Sequence, residues 1–149
     1  MGYAIDLLAA LLGSLGFSAL YNLHGIKLLF ASLGGLFAWA VYLLVGCWTE
    51  NVYICAFIAS AALTLYAEFM ARKQKTPVTV FLVTAAIPLI PGAGLYRTIN
   101  CLMLRMNERA AAEGLYTLLF AVSMSAGITL TTLVCQIVRK ALSNQTSKP

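Results

Sequence analysis

Apolar residues fill five long stretches of this chain, about Tyr3 to Tyr21, Leu28 to Gly46, Val52 to Ala71, Val78 to Ile99 and Leu115 to Val138, and polar residues gather in the short joints between them. A helix needs roughly 20 apolar residues to cross the hydrocarbon core of a bilayer. The pattern therefore predicts an all-α integral membrane protein: a bundle of about five transmembrane segments forming one domain over residues 1–142, with a short polar tail at residues 143–149. The fourth stretch departs from the rest. Pro88 and Pro91 each remove a backbone donor and crowd the preceding turn, so the helix that starts after Pro77 should end near Ile87. A new helix can begin just past Pro91-Gly92. Irregular backbone at membrane depth persists only where protein or a water-lined cavity satisfies the freed carbonyls, so the break suggests a solute site. If this stretch re-enters instead of crossing, the bundle has four true spans and the tail lies on the opposite side.

Beyond the break, Leu95, Ile99, Leu102, Met103 and Met106 recur at helical spacing while Arg97, Asn100, Arg105 and Glu108 share another face. This predicts an amphipathic helix from about Gly94, lying along the interface or lining a polar cavity. Small residues four apart recur in the first three spans: Ala9 with Gly13, Ala10 with Ser14, Ala31 with Gly35, Gly34 with Ala38, Ala56 with Ser60, and Ser60 with Thr64. Such spacing lets helix backbones approach closely in lipid and predicts a tight bundle. Trp39, Tyr42, Trp48 and Tyr53 crowd one joint and Tyr21 and Tyr66 lie toward the other face, as interfacial aromatic belts do. On the last span, Ser125, Thr129, Thr132 and Gln136 form a polar stripe that should face protein or water, or else bond back to its own helix.

Composition agrees with a membrane setting, since 61% of the 149 residues are hydrophobic and only 10% are charged. The net charge of +5 does not point to nucleic acid, because the basic residues flank the spans instead of clustering on a polar domain. They read as topology signals. Lys27, then Arg72, Lys73 and Lys75, then Arg139, Lys140 and Lys148 fall on one side, whereas the other has Arg105 and Arg109 offset by Glu50, Glu108 and Glu113. By the positive-inside tendency the N-terminus is outside and the C-terminus cytoplasmic. The first stretch lacks a basic leader and a small-residue cleavage site, and carries Asp6 early, so it reads as a retained span.

The start of a helix just past Pro91-Gly92 offers free N–H groups and a positive dipole end, with Arg97 about one turn further on. Together they make a cradle for a carboxylate, as where transporters use discontinuous helices; a plain kink ahead of an interfacial helix is the other reading. Glu68 stands four residues before Arg72, which fits an intrahelical ion pair or a protonatable group facing the bundle. Asp6 reads as a helix N-terminal charge and His24 as a loop residue. The four cysteines, Cys47, Cys55, Cys101 and Cys135, show no metal-ligand spacing and read as small buried hydrophobes, and nothing else in the chain asks for a metal or cofactor. An enzyme is disfavoured. With one Asp and four Glu there is no paired-aspartate metal motif or aspartyl pair, and no Gly-x-Ser-x-Gly turn is present.

The run from Tyr66 through Glu68, Arg72, Lys73 and Lys75 to Pro77, then Phe81, then Ile87-Pro88-Leu89-Ile90-Pro91-Gly92 and Tyr96-Arg97, resembles the smaller membrane domain of the threonine/serine exporter family. Gly16-Phe17 with Tyr21-Asn22, and Gly34-Gly35 ahead of Trp39 and Tyr42, fit the same pattern over nearly the whole chain. The resemblance implies a multi-pass subunit of the bacterial inner membrane that exports threonine, serine or small dicarboxylates such as succinate. Its implied partners are a larger subunit of the same family, the small-molecule solute and the lipid bilayer, with self-association into a homo-oligomer a further possibility and nucleic acid none. A self-assembling pore and a non-transporting scaffold are the alternatives. The matching positions Pro88, Pro91, Gly92, Tyr96 and Arg97 are the expected substrate-binding residues, and Glu68 is the expected proton-coupling residue.

Overall fold

The computed structural model describes the backbone of residues 2–146 and the side chains of residues 4–141. Among the described residues six α-helices follow in order: α1 Gly2–Leu20, α2 Ile26–Gly46, α3 Val52–Gln74, α4 Val78–Ala86, α5 Gly92–Met103 and α6 Asn107–Thr146. Helices α2, α3 and α6 are long and apolar enough to cross a membrane, α1 is a shorter apolar helix, and α4 and α5 together make one further candidate span bent by 54°.

The helix ends follow from local chemistry. Asn51 caps α3, its side chain accepting from the amides of Tyr53 at 3.1 Å and Ile54 at 3.4 Å. Asn22, Lys75 and Arg105, which close α1, α3 and α5, all adopt left-handed backbone with φ of 58°, 48° and 56°. In each case the next amide bonds back across the turn: Leu23 to Ser18, Thr76 to Ala71 and Met106 to Cys101, at 3.1, 3.0 and 2.9 Å. Pro77 then bars α3 from continuing.

Small residues seat the helices against one another. Ala31, Gly34, Gly35 and Ala38 are all buried on one side of α2. A methyl at Gly35 would collide with the Ser14 side chain of α1, and one at Gly34 would come within 2.8 Å of the Tyr66 ring and 2.9 Å of Ala85. Gly127 of α6 is similarly pressed on Ser60 of α3. The buried hydroxyls Ser18, Ser60, Thr64, Thr84 and Thr117 donate to carbonyls of their own helices at 2.7 to 2.9 Å, so burial in an apolar bundle leaves their donors satisfied.

These contacts set direction. Tyr53 meets Tyr116 and Ser60 meets Gly127, so α3 and α6 run parallel. The α4 helix starts beside Ala31, Ala67 and Ala71 through Phe81 and advances to Ala38, Ala59 and Leu63 through Ala85, Ala86 and Leu89. The α1–α2 joint, the α3–α4 joint and the C-terminal end of α6 therefore share one end of the bundle, bringing Lys27, Arg72, Lys73, Lys75, Arg139 and Lys140 together there. Lys148 lies outside the described residues.

The helix that carries the last apolar stretch extends beyond it at both ends: α6 starts at Asn107, where α5 folds back antiparallel on it, placing Gly94 on Thr117 and Thr98 on Gly114. At about 1.5 Å per residue α6 is about 60 Å long, and it runs through part of the expected tail to Thr146. The polar stripe of α6 divides, with Thr132 donating to the Ile128 carbonyl of its own helix at 2.8 Å. Ser125, Thr129 and Gln136 are exposed, while α6 turns Ala110, Thr117, Phe120, Met124 and Gly127 inward.

Candidate functional site

The break lies where the sequence places it. Residues Ile87–Leu89 form a single 3-10 turn, Ile90 is extended, and α5 starts at Gly92. The tight turn restores some of the bonding that proline removes, with the Ile90 amide donating to the Ile87 carbonyl at 3.2 Å and the Gly92 amide to the Ile90 carbonyl at 2.7 Å. Leu95 donates to the Pro91 carbonyl at 3.1 Å. That leaves the amides of Ala93 and Gly94 as first-turn donors with no helical partner.

Those amides border a cavity of about 270 Å³ lined by Pro88 to Gly94 and Arg97 on one side and by Trp39, Tyr42, Tyr116 and Phe120 on the other. Pro88, Pro91, Gly92 and Arg97 are thus brought together as expected. Tyr96 is not: it is 70% exposed and does not line the cavity. Glu68 is also elsewhere, buried on α3 among Ala67, Ala71 and Thr64, with Arg72 Nη2 donating to its Oε2 at 3.2 Å.

Arg97 Nε stands 3.3 Å from Glu113 Oε2, an ion pair between α5 and the first turns of α6. The two side chains remain 56% and 34% exposed. On that side a second cavity of about 330 Å³ is lined by Arg97, Ala112, Glu113 and Tyr116. On the opposite side a third, of about 300 Å³, is lined by Asp6, Ala9, Ala10, Gly13, Trp39, Ile87 and Pro88. Trp39 and Pro88 form the partition between the third and the central cavity, and Arg97 with Tyr116 forms the boundary between the central cavity and the second. Three spaces thus follow one another past the helix break, with an arginine on the central one and a carboxylate at each far end.

The Trp39 indole nitrogen is buried without a hydrogen-bond partner. An indole N–H is a donor only, and leaving a buried donor unpaired costs on the order of 1–3 kcal/mol. Its ring stacks on Tyr42 with centroids 5.1 Å apart, which fixes its plane beside the cavity. The central space is therefore walled by aromatic rings and bordered by the Arg97 guanidinium and the first turn of α5, with the Tyr42 and Tyr116 side chains, whose hydroxyls both donate and accept, among its walls. The guanidinium and the free first-turn amides suit an acceptor, and a carboxylate best.

Sequence reasoning missed Trp39, Tyr42, Tyr116, Phe120 and Glu113. The two α2 aromatics look like belt residues, yet Trp39 continues the small-residue face of α2 one turn beyond Gly35. That register was the available signal. Glu113 was hidden by starting the last span at Leu115.

A family model described as Threonine/Serine exporter, ThrE, matches residues 6–134, a range that takes in every residue lining the three cavities. No curated protein and no solved structure matches the chain.

Proposed function

The chain belongs to the threonine/serine exporter family, and we propose that it is the smaller subunit of a secondary transporter that exports serine- or threonine-type amino acids, or small dicarboxylates such as succinate, across a bacterial inner membrane. The central cavity carries this reading: it joins the first-turn amides of α5 to Arg97 inside a ring of aromatic side chains. Arg97 and the α5 terminus hold a solute carboxylate, Trp39 offers a further donor, and the aromatic walls pack against the rest of the solute.

In this proposal the bent α4–α5 pair crosses the bilayer, giving five crossings with the N-terminus outside and the basic end cytoplasmic. The parallel course of α3 and α6 supports that parity. A larger subunit of the family completes the transporter. The outward stripe of Ser125, Thr129 and Gln136 on α6 supports a protein neighbour there, because lipid gives such side chains no partner. Glu68 remains the candidate for proton coupling, remote from the carboxylate anchor.

The deciding experiment is efflux of labelled serine, threonine and succinate from vesicles containing this chain with and without the larger family subunit. Saturable flux that needs both subunits is expected. Non-saturable flux of all three solutes from this chain alone would instead describe a pore, and absence of solute-dependent flux in every combination would overturn the exporter proposal.

A further inference from the structure

We infer that Glu113 is an internal competitor for the solute carboxylate, occupying the Arg97 guanidinium that a solute needs, so that solute and Glu113 exchange at one cation. The inference rests on the reading of Arg97 as the carboxylate anchor. Its starting point is placement: Arg97 lines both the central and the second cavity, whereas Glu113 lines only the second. The 3.3 Å pair therefore draws the guanidinium toward the outer side of the boundary it shares with Tyr116.

A purely structural role for the pair is poorly supported by its surroundings. The α5–α6 hairpin is already closed by the turn at Arg105, by Gly94 against Thr117 and by Thr98 against Gly114, within 3.3 Å of where a Gly114 methyl would sit. An ion pair this exposed adds little to stability. Its chemistry is more informative, because glutamate presents the same carboxylate as the proposed solutes. A tethered carboxylate also competes at a high effective concentration.

The exchange leaves the arginine paired throughout. A solute that displaces Glu113 takes over its charge compensation as it binds. When Glu113 returns, it helps release the solute, which an exporter must do on every cycle.

The test measures binding to the full chain purified with its larger subunit, using labelled serine, labelled succinate and serinol, in which a hydroxymethyl group replaces the carboxylate of serine. Glu113→Gln keeps the shape and removes the charge. Serine and succinate should then bind about two- to fivefold more tightly, the scale of losing one exposed charge competitor, while serinol binding stays unchanged. Glu113→Asp, which keeps the charge on a shorter arm, should fall between. If Glu113→Gln binds the acids no better than the parent and melts at a lower temperature, the pair is a staple and the inference is overturned. Arg97→Ala separates the two levels: lost serine binding without tightening in Glu113→Gln defeats only the competitor role, whereas parental serine binding in Arg97→Ala removes the anchor and the inference together.

Discussion

Two ion pairs of nearly equal length, Glu68–Arg72 at 3.2 Å and Arg97–Glu113 at 3.3 Å, stand in different settings. The first joins neighbours on one helical face, four residues apart, and lines none of the three cavities around the break. The second is made only because α5 folds back on α6, and it forms part of the wall between two cavities. Charge pairing alone does not locate function in a membrane bundle. What separates them is whether the pair can be exchanged for something else: Arg97 borders a space large enough for a small solute, and Glu68 borders packed alanines.

Removing one cation from each pair breaks the comparison most directly. Arg97→Ala should weaken serine and succinate binding by about 10- to 100-fold, corresponding to about 1.5–3 kcal/mol for a hydrogen bond to a charged group. Arg97→Lys should recover part of that loss, because lysine keeps the charge but not the two-pronged donor geometry. Arg72→Ala should leave binding unchanged. Equilibrium binding with the three variants decides the matter, and equal losses at Arg97 and Arg72 would erase the distinction between the pairs.

Pro91→Ala should come next. With an amide restored at this position α4 can run on toward α5, the first-turn donors are drawn into helical bonds, and Arg97 rotates away from the cavity. Transport should fall several-fold while the protein still inserts, as membrane-fraction yield beside efflux would show. Undiminished efflux would mean that the bend is held by α5–α6 packing and not by the proline.

Much of this was open to sequence reasoning because prolines act locally: the end of α4 near Ile87 and the restart at Gly92 follow from the chemistry of Pro88 and Pro91 themselves. Arg97 was placed by counting along one helix. Glu113 was not, since its meeting with Arg97 depends on a hairpin whose closure rests on Gly94 and Gly114, and the hydrophobic pattern says nothing of where such a hairpin packs. The apolar stripe of α5 makes the same point. Leu95, Ile99, Leu102 and Met103 are at least half exposed, while Gly94, Thr98 and Cys101 form the inward seam. In lipid, small residues mark the interior and large apolar ones the outside, so amphipathicity found the helix but not its buried face.

Trp39→Phe probes the donor side of the comparison without touching either ion pair. The change keeps an aromatic ring and deletes the indole N–H, which is worth about 0.5–1.5 kcal/mol if a neutral acceptor uses it, or about two- to tenfold in binding. Because the indole nitrogen has no protein partner, deleting it should not lower the melting temperature. A variant that binds like the parent would return Trp39 to the wall.

The smallest effect is expected at Glu68→Gln, which sharpens the contrast from the other side. Arg72 is 57% exposed and can turn to water once its partner is neutral. The loss should then be that of a helical pair at this spacing, about 0.3–0.5 kcal/mol, with solute binding untouched because Glu68 lines none of the cavities around Arg97. Proton coupling makes a different demand. A group that carries the proton must lose its charge and regain it during the cycle, and glutamine cannot. Flux measured with and without an imposed proton gradient separates the two roles. Unchanged gradient dependence in Glu68→Gln makes the pair a helix fastening and moves coupling to another acid, whereas flux that persists but ignores the gradient assigns the proton to Glu68 and makes its distance from Arg97 the span across which coupling must act.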